Sequence, residues 1–265
     1  LYTAPVSNTV MLTWSASWIW RHKRGFLRDL LAVAPEKRLF NWKLEVWPFQ
    51  WKIGLSWLSG YFIFRLFVPS LIAMNLPVAA GQMGLSLTMM GAIGGIALAW
   101  MTTKSAPFGT LIANRDFSRL DRVFFSCLWQ SVTVAAIGGA ALLMVVIFLN
   151  HIHQPLAHRV LPPQALALLI GTMLVSQVIA SEAIYLRAHK QEPFLWLSLG
   201  IGVLVAASTY FLGRHYAALG MTAGYFTVML IVGLGGGTWI FIQKRRQWHQ
   251  ESPLILNETL QDTKT

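Results

Sequence analysis

Six long runs of apolar residues decide what this chain can fold into. Each run is about 20 to 27 residues long, which suits an α-helix that crosses the hydrocarbon core of a bilayer with some tilt. None of the runs alternates strictly between apolar and polar residues, as a strand of a membrane β-barrel does. The sequence therefore predicts an all-α, polytopic transmembrane helix bundle. The runs are Trp51–Asn75, Gln82–Thr103, Val123–Leu149, Gln164–Leu186, Pro193–Leu212 and Leu219–Gln243.

The same pattern predicts four regions along the chain. Residues 1–20 are predicted to be the remnant of a preceding transmembrane helix, so the chain is expected to be a fragment of a longer protein. Residues 21–46 are predicted to form a basic cytoplasmic linker and 47–243 a six-helix transmembrane lobe. Residues 244–265 would form a cytoplasmic tail. Charged residues make up only 12% of the chain, about half the share in an ordinary soluble domain.

The basic residues alternate between rich and poor loops. Residues 21–45 hold seven Lys or Arg residues, 104–122 hold four and 187–192 hold two, whereas the loops between them hold at most one each. Because basic loops stay in the cytoplasm, the C-terminus is predicted to be cytoplasmic and the membrane to be the bacterial inner membrane. The formal charge of +11 is then mostly a topology signal, so no nucleic acid partner is expected.

The remaining motifs do not indicate an enzyme. The one cysteine, Cys127, excludes an internal disulfide and offers no thiolate cluster for a metal. No Gly-rich phosphate loop, G-x-S-x-G or H-E-x-x-H motif occurs. His151, His153 and His158 lie in one loop, but that loop has no acid or cysteine to complete a zinc site. We therefore expect no enzymatic activity and no bound cofactor or metal.

Arg65 is the first candidate for a functional residue. It lies near the middle of the first run, where a guanidinium is costly unless it faces a protein interior or a water-filled cavity. Pro69 has no N–H to offer the carbonyl of Arg65, so a helix disruption is predicted there. We expect Arg65 to bind an anionic substrate, with Lys52 extending a basic path. The alternatives are an arginine that snorkels along its helix and a lysine that only sets the topology.

Three further polar residues in the runs are candidates. Glu182 is the only acid within them. It is either an interfacial carboxylate that is solvated or paired with Arg187 or Lys190, or a group that couples protons to transport. Gln130 and Gln177 are predicted to place a polar group on the inner faces of their helices. There they would either bond neighbouring helices or line a substrate cavity.

Four segments resemble one family of membrane proteins. They are Trp47–Tyr61 (WPFQWKIGLSWLSGY), Pro77–Met83 (PVAAGQM), Pro107–Asp116 (PFGTLIANRD) and Tyr185–Pro193 (YLRAHKQEP). They are similar to the second half of bacterial polysaccharide-biosynthesis membrane proteins of the O-antigen flippase type. That family belongs to the multidrug/oligosaccharidyl-lipid/polysaccharide exporter superfamily.

The resemblance implies one lobe of a two-lobe transporter that works by alternating access. Its cargo would be a lipid-diphosphate-linked oligosaccharide, a precursor of lipopolysaccharide, and its partners the lipid bilayer, this substrate and other polysaccharide-assembly membrane proteins. A multidrug/cation antiporter of the same superfamily is an alternative, with Glu182 as its carboxylate. A membrane-embedded glycosyl-lipid ligase or polymerase is a second alternative, but it would need a larger outer loop than any here.

Overall fold

The computed structural model describes residues 3–22, 25, 47–189 and 192–248. This part of the chain consists of helices joined by short turns and contains no strand, which confirms the predicted all-α bundle. The chain divides into two units, Leu1–Trp47 and Pro48–Thr265. Most of the predicted linker at 21–46 and most of the predicted tail at 244–265 lie outside the described residues.

The helices follow the apolar runs closely. The first unit contains α1, and the second unit contains α2 to α8 with a 3₁₀ turn at Pro155–Arg159. A π-helical segment, Met229–Gly235, joins α7 to α8. The bounds are α1 Thr3–His22, α2 Trp47–Ala73, α3 Pro77–Thr102, α4 Ser105–Ala113, α5 Phe117–His151, α6 Pro163–Ala188, α7 Leu195–Val228 and α8 236–248.

Five helical stretches of the described chain are long and apolar enough to cross a membrane. On this ground the protein is a membrane protein, and α1 is not one of the five stretches. Each of the six predicted runs lies wholly or almost wholly within one of them, and the last stretch takes in two runs. The first run extends two residues beyond Ala73, and the fifth begins two residues before Leu195. The stretches are Gln50–Ala73, Pro77–Ala113, Phe117–His151, Pro163–Ala188 and Leu195–Trp248.

The last stretch is a hairpin of two antiparallel arms. Its 54 residues would measure about 81 Å as one straight helix, far more than the hydrocarbon core requires. The helix is broken at Ala217, whose φ of 48° and ψ of −134° are not helical. A Cβ at Gly236 would lie 2.9 Å from Leu197, and one at Gly224 would lie 2.9 Å from Ser208. Positions later in the second arm (218–248) thus contact positions earlier in the first arm (195–216), as antiparallel packing requires.

α6 is the central helix of the second unit. It contacts α3, α5, α7 and the π-helical segment, and half of its residues are buried. One end of the bundle, which we call the basic end, gathers Phe108, Phe124, Tyr185 and Phe241 into one aromatic cluster. It therefore holds α4, the connection from α6 to α7 and the end of α8.

Candidate functional site

A cavity of about 290 Å³ lies between α2, α3, α6 and α7. Phe64, Gly91 and Gly95 are exposed and form its mouth, whereas Gln177 and Tyr225 are buried at its inner wall. Among the described residues that line it, none carries a charge. The cavity is therefore an apolar space with a few uncharged polar groups at its inner wall, and this pattern is typical of small-molecule sites.

Gln177 forms part of the cavity wall and also joins three helices. Its Oε1 accepts a hydrogen bond from Ser131 Oγ at 3.1 Å, and its Nε2 donates to the backbone oxygen of Gly94 at 3.0 Å. Gly94 permits this approach, because a Cβ at that position would lie 3.0 Å from Nε2. Both predicted roles of Gln177, interhelical bonding and cavity lining, thus occur at one residue. A contact with substrate remains a prediction.

Arg65 does not line the cavity. It is exposed on α2, and its guanidinium carbon lies 5.3 Å from the centroid of the Tyr61 ring. It directly follows Phe64, which stands at the cavity mouth. α2 continues through Pro69 to Ala73, so the proline removes one hydrogen-bond donor without ending the helix. Binding of an anion by Arg65 remains a prediction.

The structure does not bring the other predicted contacts to this cavity. Lys52 is exposed near the start of α2, about 20 Å along the helix axis from Arg65. Gln130 was predicted to face the inside of the bundle, but it is exposed on α5. The next residue, Ser131, is buried in its place and bonds Gln177. A step of one residue turns the side chain by about 100° on a helix, and the sequence does not reveal which of the two faces inward.

Glu182 is buried rather than solvated, with 3% of its surface exposed. Its Oε1 accepts a hydrogen bond from Thr238 Oγ1 at 2.8 Å, and its Oε2 has no partner among the described residues. The predicted pairing with Arg187 is wrong, because Arg187 binds Glu192 through two hydrogen bonds of 2.6 and 2.9 Å. Lys190, the other predicted partner, lies outside the described residues.

We expect Glu182→Gln to keep the fold but to reduce transport. The amide oxygen of glutamine can still accept the bond from Thr238, and the unpaired Oε2 contributes no hydrogen bond to lose. A buried acid that adds little stability is a candidate for coupling. The measurement is transport over a range of pH, together with thermal stability in detergent. Wild-type transport at every pH would remove Glu182 from the mechanism.

A polar cluster at the basic end escaped the sequence analysis. Asp121 on α5 accepts hydrogen bonds from Arg245 Nε at 3.0 Å and from the Tyr185 hydroxyl at 3.1 Å. The ring of His189 stacks on that of Trp248, with centroids 3.7 Å apart. These contacts tie the end of α8 to α5 and α6. Asp121 and Arg245 are 124 residues apart on different helices, so no local sequence pattern indicates the pair.

Comparison with known proteins does not assign the chain to a family. No protein-family model, no curated protein and no solved structure matches this chain. The resemblance of the four segments to oligosaccharide flippases therefore receives no support from that comparison. The functional argument depends on the residues described above.

Proposed function

We propose that the protein is a membrane transporter that moves a lipid-linked oligosaccharide across the bacterial cytoplasmic membrane. It would form one lobe of a two-lobe transporter with alternating access. Its second unit would supply one wall of the central path. Export of a polysaccharide precursor, such as that of O-antigen, is the process that this proposal assigns to it.

The exposed arginine in mid-membrane carries the proposal. Arg65 is eight residues from the end of the stretch Gln50–Ala73, so it lies about 12 Å inside that end. A guanidinium that faces lipid chains at this depth is costly, so its face is expected to meet either a second lobe or an aqueous path. Guanidinium binds phosphate groups through paired hydrogen bonds, which suits a diphosphate that must cross an apolar region.

A cation antiporter is the second candidate, and Glu182 is the observation that favours it. A buried carboxylate with one unpaired oxygen is the group that such a transporter needs. Glu182, however, does not line the cavity, and none of the described lining residues is an acid. An enzyme acting on glycosyl lipids would need functional groups in a large outer loop, and the described loops at that end are short.

Reconstitution into vesicles separates these candidates. The intact protein is expected to move a fluorescent lipid-diphosphate oligosaccharide between leaflets, measured as fluorescence that an impermeant quencher can reach. In a second arm, the same vesicles carry a proton gradient and a fluorescent cationic drug. Movement of the drug without movement of the lipid would overturn the proposal in favour of the antiporter.

The proposed orientation places the basic end in the cytoplasm. Among the described residues, this end holds Lys104, Arg115, Arg187 and Lys244, and such residues favour the inner face. In a background in which Cys127 is replaced by alanine, single cysteines at positions 28, 110 and 190 are expected to react with an impermeant thiol reagent only from inside. Those at 78, 155 and 214 should react only from outside. Reversed accessibility of the two sets would contradict the orientation.

A further inference from the structure

The π-helical segment Met229–Gly235 interrupts the second arm of the hairpin. In an α-helix each N–H bonds to the carbonyl four residues earlier, whereas in a π-helix it bonds to the carbonyl five residues earlier. The segment therefore holds one residue more than α-helical bonding needs. Such insertions are rare and are frequent at functional sites. This one lies between Tyr225, on the cavity wall, and the end of α8 at the basic end.

The extra residue sets the register of all of α8. Four side chains of α8 contact α5 and α6, and they recur every three or four residues, so they share one face of the helix. If the segment returned to α-helical bonding with no residue lost, α8 would turn by about 100° and advance by about 1.5 Å. All four contacts would then break together. They are a hydrogen bond from Thr238 to Glu182 at 2.8 Å, the rings of Phe241 and Tyr185 with centroids 5.2 Å apart, the bonds from Arg245 Nε to Asp121 at 3.0 and 3.1 Å, and the stack of Trp248 on His189.

The chain carries suitable side chains for this shifted register as well. After the shift, Lys244 would keep a cation opposite Asp121, and Ile240 would keep an apolar side chain in the aromatic cluster. Two registers are thus chemically acceptable at this interface. Each position on the face would be taken by the residue one place earlier in the sequence: Gly237 for Thr238, Ile240 for Phe241, Lys244 for Arg245 and Gln247 for Trp248.

Glu182 distinguishes the two registers. In the present register it accepts the hydrogen bond from Thr238, whereas Gly237 would take that place after the shift and has no side-chain donor. A Cβ at Gly237 would lie 3.4 Å from Glu182 Oε2, so this residue is already next to the carboxylate. Residues 235–237 are all glycine, so no side chain at the junction has to pass α6 or the first arm when α8 turns.

We propose that Met229–Gly235 is a register switch, which turns α8 between the present register and one in which Lys244 faces Asp121. The shift takes the donor of Thr238 away from Glu182 and exchanges the contacts of the basic end without unfolding the helix. The inference does not depend on the proposed function, because it concerns only how α8 packs within this chain.

The test measures the position of α8 in the full chain through distances between two spin labels. Cys127→Ala removes the native thiol, and Arg246→Cys places a label on the exposed side of α8. The second label is attached through Ser118→Cys or Ala113→Cys, both of which are exposed at the basic end. Two reference positions ensure that a movement of α8 changes at least one of the distances.

Two contacts of the present register are then removed by combining Thr238→Val with Arg245→Gln. We expect this pair of substitutions to move the label on α8 by about 8 Å, the chord of a 100° turn at a radius of about 5–6 Å. Adding Lys244→Gln should return the distances to the wild-type values, because the shifted register then has no cation for Asp121. Distances that stay at the wild-type values in the Thr238→Val and Arg245→Gln variant would overturn the switch.

Deleting Gly235 provides the matched control. A deletion inside the segment restores α-helical bonding and leaves α8 in its present register, so the two substitutions should no longer move the label. Deleting Ile231, which is exposed in the same segment, is the second variant in case the first does not fold. An equal movement of the label with and without the deletion would contradict the switch, since α8 would then be loosened rather than shifted. Loss of the folded protein in both deletions would contradict it too, because the extra residue would then be part of the packing.

Discussion

Arg65→Ala is expected to reduce export of lipid-linked oligosaccharide about 100-fold or more, while the protein still inserts into the membrane. In the proposed complex, Arg65 and the bound diphosphate form a charge pair that is shielded from water. Truncating one partner of such a pair commonly costs about 2–5 kcal/mol, and about 2.8 kcal/mol corresponds to this factor. The exposed position of Arg65 on α2 means that its removal leaves no gap in the described core. The measurement is the rate of export in cells or vesicles, normalised to the amount of inserted protein.

Two substitutions and one control refine this prediction. Arg65→Lys should restore only part of the rate, because an ammonium keeps the charge but lacks the planar fork that binds phosphate. Arg65→Gln separates hydrogen bonding from charge. Arg214→Ala is the matched control, since Arg214 is also exposed and lies 4.8 Å from the ring of the tyrosine four residues earlier, but it sits near the hairpin turn. Export at the wild-type rate in Arg65→Ala would make the arginine structural.

Gly220→Ala is expected to destabilise the bundle by about 3 kcal/mol or more. An added Cβ would overlap the backbone oxygen of Leu212 and lie 2.8 Å from both the Leu212 carbonyl carbon and Tyr216 Cβ. A backbone carbonyl cannot rotate away as a side chain can, so the two arms of the hairpin would have to separate. The expected result is a lower thermal stability in detergent, or loss of the folded protein.

The same hairpin supplies the controls for this prediction. Gly200 lies on the first arm, and a Cβ there would meet no atom within 4 Å. Gly200→Ala should therefore stabilise the helix by about 0.5–1 kcal/mol, because alanine favours the helical backbone. Ala217→Gly should also stabilise, since a φ of 48° with a ψ of −134° suits glycine better than alanine. If Gly220→Ala were as stable as Gly200→Ala, the close antiparallel packing of the arms would be wrong.

Local sequence predicted the helical spans better than the positions of caps and turns. Every apolar run became part of a helix, because a backbone inside lipid must satisfy its own hydrogen bonds and a helix does so within one segment. Turns are harder to predict. Asp116 caps α5 by accepting a hydrogen bond from the Arg119 amide at 3.0 Å. The turn at Ala217 has no glycine or proline at the broken position, so nothing in the residue type marks it.

The candidate sites show what local sequence could not give. Gln177 and Glu182 stood out in the sequence because they are polar residues within apolar runs, and both are buried in the structure. Their partners come from distant parts of the chain: Ser131 is 46 residues from Gln177, and Thr238 is 56 residues from Glu182. Gln130 carried the same signal as Gln177 but lies on the exposed side of its helix.

The sequence by itself determined the membrane class, the helical spans and the concentration of basic residues in alternate loops. These properties follow from the length of apolar runs and from charge, both of which are local. The tertiary structure decided which side of each helix faces inward, which partner each polar group bonds and where the cavity opens. Lipid is as apolar as the interior of the bundle, so the hydrophobic pattern of a membrane helix does not distinguish its buried side from its exposed side. Only the packing of α2, α3, α6 and α7 against one another places Phe64 at a cavity mouth and leaves Arg65 exposed beside it.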